Sequence, residues 1–324
     1  VGNVGILCDV VSGPSRLIPN VMSFIGIVLG AILVLWGADR LTAGASALAR
    51  RFRINELVIG LTIVAFGTSL PEFIISFTAA IQGSSDISVG NIVGSNIFNT
   101  LVIVGATAAV TPICVSRGTL YKDIPFALLS SVALIALSLD GVFGHISPNQ
   151  ITRGDGIVLL LFFCVFMAYT FSLAKQDDPD AGDVPHATSY LRIFLLLIVG
   201  IACLIGGGKL FVNSAVDIAY RFGISESVVG LTLVAGGTSL PELATSVVAA
   251  RKGSSAIAIG NVIGSNLFNV FFVTGVCTTI SPVVVNGIST LDLFMLLFSM
   301  LLLWGFAVTK RTVERWEGVA LLAV

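Results

Sequence analysis

Two carboxylates stand where a chain this apolar should have none. Glu72 closes the segment Gly67-Thr68-Ser69-Leu70-Pro71-Glu72, and Glu242 closes an identical segment, Gly237-Thr238-Ser239-Leu240-Pro241-Glu242, 170 residues later. Each lies in the middle of an apolar run, where an ionised carboxylate costs at least about 2.5–3.5 kcal/mol. No Lys, Arg or His falls in the runs that carry them or in the runs that follow, so a bound cation is the natural counter-charge. The alternative, a protonated glutamate kept as a structural hydrogen-bond donor, would have to arise twice in the same setting.

The neighbouring residues suit a hard cation. Proline inside a helix removes a hydrogen bond and clashes with the carbonyl one turn back, and the preceding glycine loosens that turn. Carbonyls released around Ala65 to Thr68 and Ala235 to Thr238 cannot face lipid unsatisfied. With the hydroxyls of Thr68 and Ser69, the carboxylate of Glu72 and their second-copy equivalents, they form an oxygen-only donor set. Calcium takes about 6 to 8 oxygens at about 2.3–2.6 Å.

A second motif follows each first one: Gly90-Asn91-Ile92-Val93-Gly94-Ser95-Asn96-Ile97-Phe98-Asn99 and Gly260-Asn261-Val262-Ile263-Gly264-Ser265-Asn266-Leu267-Phe268-Asn269. Ser95 with Asn99, and Ser265 with Asn269, are spaced i, i+4 and share a helix face. Glycines at 90, 94, 260 and 264 permit close helix approach. Asn96, Asn266, Asn99 and Asn269 are candidates either for the site or for interhelical hydrogen bonding alone. Residues 55–100 and 225–270 align without a gap with 27 identities in 46 positions, on Gly, Pro, hydroxyl, amide and carboxyl residues. One unit therefore occurs twice.

The elements that must hold these residues are membrane helices. Of 324 residues 56% are hydrophobic and 11% charged, and the mean hydropathy is +1.02, outside the range of soluble domains. The net charge of -1 and the lack of a soluble charged domain exclude nucleic acid as a partner. Apolar runs of spanning length fall near 22–48, 54–81, 88–112, 121–140, 154–174, 190–219, 225–250, 257–281 and 287–308, with a tenth from about 313 that is expected to continue beyond the sequence. The expected fold is an all-α integral membrane protein of ten helices in two five-helix repeats, 1–174 and 191–324. A polar linker, 175–190, joins them; its aspartates could bind calcium weakly or simply be solvated.

Threading the chain through ten spans places Arg50, Arg51, Arg53, Arg117, Lys122, Lys175, Arg192, Arg251, Lys252, Lys310, Arg311 and Arg315 on one side and Arg16, Arg153 and Arg221 on the other. The richer side is assigned to the cytoplasm, with the linker, and both termini lie outside. Five is odd, so the second repeat enters from the opposite side, and the two glutamate motifs meet at the midplane from opposite directions. Asp39 and Lys209 are 170 positions apart and could pair within the membrane or occupy separate polar niches. Cys8, Cys114, Cys164, Cys203 and Cys277 read as apolar packing residues. His145 and His186 read as solvated loop residues, and with no base near Ser69 or Ser239 the chain is not read as an enzyme. No signal peptide is evident in the first twenty residues.

At the paired motifs the chain resembles the sodium/calcium exchanger family of the cation/calcium antiporter superfamily, most of all its prokaryotic calcium/sodium antiporters. The resemblance implies Glu72 and Glu242 as acidic calcium ligands, with the Thr68 and Thr238 carbonyls completing that site. It implies Ser69, Ser239, Ser95, Ser265 and the carbonyls of Ala65 and Ala235 as groups lining flanking sodium sites, and Asn99 and Asn269 as the central pair. It also implies that the first and sixth spans slide as a gate. Asn269 replaces an aspartate found in potassium-dependent members, which argues against potassium co-transport. Calcium and sodium are then transported ions, with no cofactor and no required protein partner. The rival expectations are a proton/calcium antiporter using the same glutamates and, less well suited to inverted repeats, a calcium channel.

Overall fold

The computed structural model describes residues 21–139, 149–174, 189–223, 235–285 and 288–324. Cys8, Arg16, His145, His186, residues 175–188 of the linker and the first part of the seventh span lie outside the described residues. Twelve helical stretches occur among those described: α1 (Val21–Phe52), α2 (Glu56–Thr68), α3 (Leu70–Ile81), α4 (Ile87–Val110), α5 (Thr119–Ser138), α6 (Arg153–Ala174), α7 (Tyr190–Arg221), α8 (Ala235–Thr238), α9 (Leu240–Arg251), α10 (Ser255–Ile280), α11 (Thr290–Lys310) and α12 (Arg315–Ala323). Seven are long and apolar enough to cross a bilayer, and α2 with α3 makes an eighth span bent by 51°. α8 with α9, and α12, stand at the places of the seventh and tenth spans.

The polarity of the fold is that of a membrane protein. Met22, Ile25, Leu29 and Ile32 of α1 and Leu191, Phe194, Leu195 and Ile198 of α7 are exposed, whereas Thr68, Ser69, Glu72, Asn96, Asn99, Glu242 and Asn269 are buried. Apolar side chains meet lipid, and polar ones satisfy each other inside.

Two-residue strands fasten the loops. β1 (Ile113–Cys114) pairs antiparallel with β4 (Thr312–Val313), and β2 (Gln150–Ile151) pairs with β3 (Val283–Val284). Loops 3–4 and 9–10 therefore share one face and loops 4–5 and 8–9 the other, in agreement with the ten-span threading. Strands this short carry no alternating pattern, and the sequence gives no sign of them.

α1 and α7 lie antiparallel along their length: Gly26 faces Ser214, Gly37 faces Gly200 and Leu204, and Gly44 faces Leu196 and Leu197. A Cβ on Gly37 would come within 2.9 Å of the Gly200 carbonyl oxygen, so the backbones touch. Ser23 donates to Asp217 at one end of this pair. Nearer the other end Asp39 meets Lys252, at 2.5 Å, and not Lys209, which is exposed. Asp39 and Lys209 therefore do not pair with each other.

Candidate cation-binding site

The bend is built by Pro71. Lacking an N–H, it brings no donor to the Gly67 carbonyl, and Ser69 takes φ -82°, ψ 8° between α2 and α3. Ser239 repeats this at φ -90°, ψ 8° before Pro241. Both glutamates thus sit in the first turn of a helix that begins inside the protein, where the amide dipoles favour a negative charge.

Close helix crossing brings the repeats together. A Cβ on Gly60 would lie 3.2 Å from the Gly260 Cα, and one on Gly264 would lie 2.6 Å from the Leu61 carbonyl oxygen. Only glycine lets α2 and α10 approach this far. At this crossing the Thr68 hydroxyl donates to Asn261 Oδ1 at 3.1 Å. Gly230, the repeat partner of Gly60, lies outside the described residues, and among the described residues Gly90 and Gly94 meet nothing within 4 Å.

Each carboxylate is held by the serine of the other repeat. Ser69 Oγ donates to Glu242 Oε1 at 2.8 Å, and Ser239 Oγ donates to Glu72 Oε1 at 3.0 Å. Both glutamates are 1% exposed, and no ion pair among the described residues involves either. The second oxygen of each, Oε2, is buried without a hydrogen-bond partner. A protonated glutamate kept for structure would need an acceptor there, so the arrangement suits a carboxylate facing a cation.

The central asparagines present oxygen in the same way. Asn99 Nδ2 donates to Asn266 Oδ1 at 3.1 Å and Asn269 Nδ2 donates to Asn96 Oδ1 at 3.0 Å, which leaves Asn99 Oδ1 and Asn269 Oδ1 buried and unpartnered. Asn96 and Asn266 do form interhelical hydrogen bonds, and by doing so they decide which end of the neighbouring amide is free. Asn266 is itself fixed by Nδ2 donating to Thr100 Oγ1 at 3.0 Å. Asn99 opens a π-helical turn, Asn99–Ile103, and Asn269 lies in another, Phe268–Val273. Such bulges frequently mark functional sites; here the Asn269 carbonyl, displaced from the α pattern, accepts from Thr274 Oγ1 at 3.0 Å.

Two residues of the motif were not singled out from sequence. Asn91 Nδ2 donates to the Glu72 carbonyl at 3.1 Å and to Ser76 Oγ at 2.9 Å, and Asn261 Nδ2 donates to the Glu242 carbonyl at 3.3 Å and to Ser246 Oγ at 3.0 Å. Each anchors the backbone of a glutamate. The signal was there, since both asparagines follow their glutamate by the same 19 residues.

The remaining expected residues differ in burial and hydrogen bonding. Ser265 Oγ is buried without a partner, and Ser95 is 6% exposed on the matching helix. The Ala65 carbonyl already accepts from Ser69 N at 3.0 Å and has Thr68 Oγ1 at 3.3 Å, so it has less to offer an ion than the carboxylates. Ala235 opens α8 and Thr238 ends it. No three His, Cys, Asp or Glu side chains gather among the described residues, so a cation here would be held by carboxylate, amide, hydroxyl and carbonyl oxygens together. That donor set suits calcium or sodium better than a transition metal.

The family model of the sodium/calcium exchanger protein matches residues 22–172 and 192–324. The putative antiporter CaxA of Alkalimonas amylolytica is 39% identical, with 91% of this chain and 94% of that protein covered. Sodium/calcium exchanger MaX1 of Methanosarcina acetivorans is 32% identical over 93% and 95%, and inner membrane protein YrbG of Escherichia coli is 35% identical over 91% of each. Among solved structures, the sodium-calcium exchanger NCX_Mj without sodium and calcium matches with a TM-score of 0.81 at 32% identity, covering 94% of this chain and 96% of that one. With 2.5 mM sodium and 0.1 mM calcium the TM-score is 0.78 over the same shares. The fold is therefore that of NCX_Mj, ten membrane helices in two repeats. This chain belongs to the sodium/calcium exchanger family, and is a multi-pass membrane cation antiporter rather than an enzyme.

Proposed function

We propose that the protein expels cytoplasmic calcium in exchange for external sodium, through one midplane site exposed alternately to the two sides. The observation that carries this is the set of four buried, unpartnered oxygens, Glu72 Oε2, Glu242 Oε2, Asn99 Oδ1 and Asn269 Oδ1, drawn equally from both repeats. Two carboxylates match the charge of one calcium. With the carbonyls of Thr68 and Thr238 they supply a coordination shell of the size calcium needs.

Sodium would replace calcium on the same carboxylates and in two flanking niches, Ser69 with Ser95 and the Ala65 carbonyl, and Ser239 with Ser265 and the Ala235 carbonyl. Two sodium ions neutralise the carboxylates and a third rests on dipoles. Three-for-one exchange would carry one net charge inward per calcium expelled, which an inside-negative potential assists by about 2.3 kcal/mol per 100 mV. MaX1 is named a sodium/calcium exchanger and NCX_Mj was soaked with both ions, which supports this choice over protons.

The test is calcium flux in proteoliposomes under a sodium gradient, a pH gradient or a diffusion potential imposed separately. Sodium-driven flux that accelerates when the compartment sodium enters is made negative is expected. Flux driven by the pH gradient alone would replace this reading with proton/calcium exchange.

A further inference from the structure

On α1, Arg40 keeps only a long contact with a carboxylate. Asp39 Oδ1 is taken by Lys252 at 2.5 Å, and Arg40 stands only at 3.9 Å from the same carboxylate. Arg40 rests over the ring of Trp36, 5.1 Å from its centroid, and its Nε is buried with no hydrogen-bond partner. The same side chain lines a pocket of about 240 Å³ with Trp36, Arg192, Leu195, Leu196 and Val199. Among the described residues Arg192 has no carboxylate within ion-pair distance. Leu195 and Val199 are exposed, so the pocket opens on the lipid-facing side of the α1–α7 pair.

Its depth is fixed by the helix register. Arg192 lies in the first turn of α7, on the side assigned to the cytoplasm. Gly37 lies beside Gly200 and Gly44 beside Leu196, so Arg40 is level with residues close to 198. That is about 9 Å deeper than Arg192 at about 1.5 Å per residue. Arg40 and Arg192 thus line one apolar-walled pocket toward the end of α7 assigned to the cytoplasm, and the one carboxylate beside it among the described residues, Asp39, is already bridged to Lys252.

We propose that this pocket binds the phosphodiester of an anionic phospholipid of the cytoplasmic leaflet, held between Arg40 and Arg192, with the glycerol and upper acyl chains along Trp36, Leu195 and Val199. Guanidinium forks match phosphate oxygens, and basic pockets between membrane helices are suited to anionic headgroups. A zwitterionic lipid brings its own cation beside the phosphate, which opposes the two arginines. Inorganic phosphate carries the charge but leaves the apolar walls unused. A second basic pocket, of about 700 Å³ and lined by Arg117, Lys310 and Arg311, differs in that Lys310 is already neutralised by Glu314 at 2.7 Å.

The full chain, purified in detergent and delipidated, is titrated with dioctanoyl phosphatidylglycerol, dioctanoyl phosphatidylcholine or inorganic phosphate, and bound ligand is read by native mass spectrometry. Phosphatidylglycerol is expected to bind about tenfold more tightly than phosphatidylcholine, and Arg40→Gln and Arg192→Gln each to remove about that factor. The double variant Arg117→Gln/Arg311→Gln is expected to bind as wild type. Equal affinity for the two lipids, inorganic phosphate bound as tightly as phosphatidylglycerol, binding undiminished in Arg192→Gln, or equal loss in the Arg117/Arg311 variant would overturn the proposal. Arg192 is exposed at a helix end, so its variant decides the matter even if Arg40→Gln does not fold.

Discussion

Ser69 of the first repeat donates its hydroxyl to Glu242 of the second at 2.8 Å, and the reverse pair, Ser239 to Glu72, closes at 3.0 Å. The site is therefore not two half-sites side by side, because each carboxylate is oriented by a residue of the other repeat. Ser69→Ala and Ser239→Ala are each expected to weaken calcium binding about tenfold, the effect of losing one hydrogen bond to a buried charge. Calcium titration of the purified variants checks this. An effect confined to one serine would break the symmetry on which it rests.

Asn96 and Asn266 are expected to act through their neighbours. Replacing either by leucine removes the acceptor that turns the amide nitrogen of Asn269 or Asn99 away from the site. The freed amide can then present nitrogen to the ion, and calcium affinity should fall by about tenfold in a folded protein. Unchanged affinity in both variants would reduce these residues to packing.

Transport is expected to need no potassium. Asn269 Oδ1 is a neutral ligand oxygen, so among the described residues Glu72 and Glu242 are joined by no third carboxylate. Sodium-driven calcium uptake with choline in place of potassium on both sides should equal uptake with potassium present. A potassium requirement would mean that the charge count at the site is wrong.

Gly264→Ala is expected to destabilise the protein by about 1–3 kcal/mol, because its Cβ would meet the Leu61 carbonyl at 2.6 Å and the Ala65 Cβ at 2.8 Å, neither able to swing aside. Gly305→Ala meets nothing within 4 Å among the described residues and should be neutral or slightly stabilising. Unfolding in mixed micelles compares the two. Equal midpoints would mean that the α2–α10 crossing can relax.

Much of this site can be read from sequence because its residues are costly in a membrane. Glu72 and Glu242 need a reason to lie in apolar runs, and Pro71 and Pro241 break a helix wherever they fall. Partner choice is less legible. Asp39 matches Lys209 by repeat position but binds Lys252, because the α1–α9 contact, not the 170-residue offset, decides which cation is within reach. Asn91 and Asn261 show a related limit: their spacing from the glutamates is visible, yet their role as clamps on a backbone carbonyl depends on how α3 packs on α4 and α9 on α10.

On the proposed function, Glu72 and Glu242 together make a single calcium site that sodium also occupies. Equilibrium binding of radioactive calcium to the purified full chain, with and without sodium, tests it most directly in wild type, Glu72→Gln and Glu242→Gln. One calcium per chain is expected, displaced by sodium with a steepness greater than one ion, and each single substitution should abolish binding while the protein stays folded. Two calcium ions per chain, half the binding left in each variant, or indifference to sodium would contradict it.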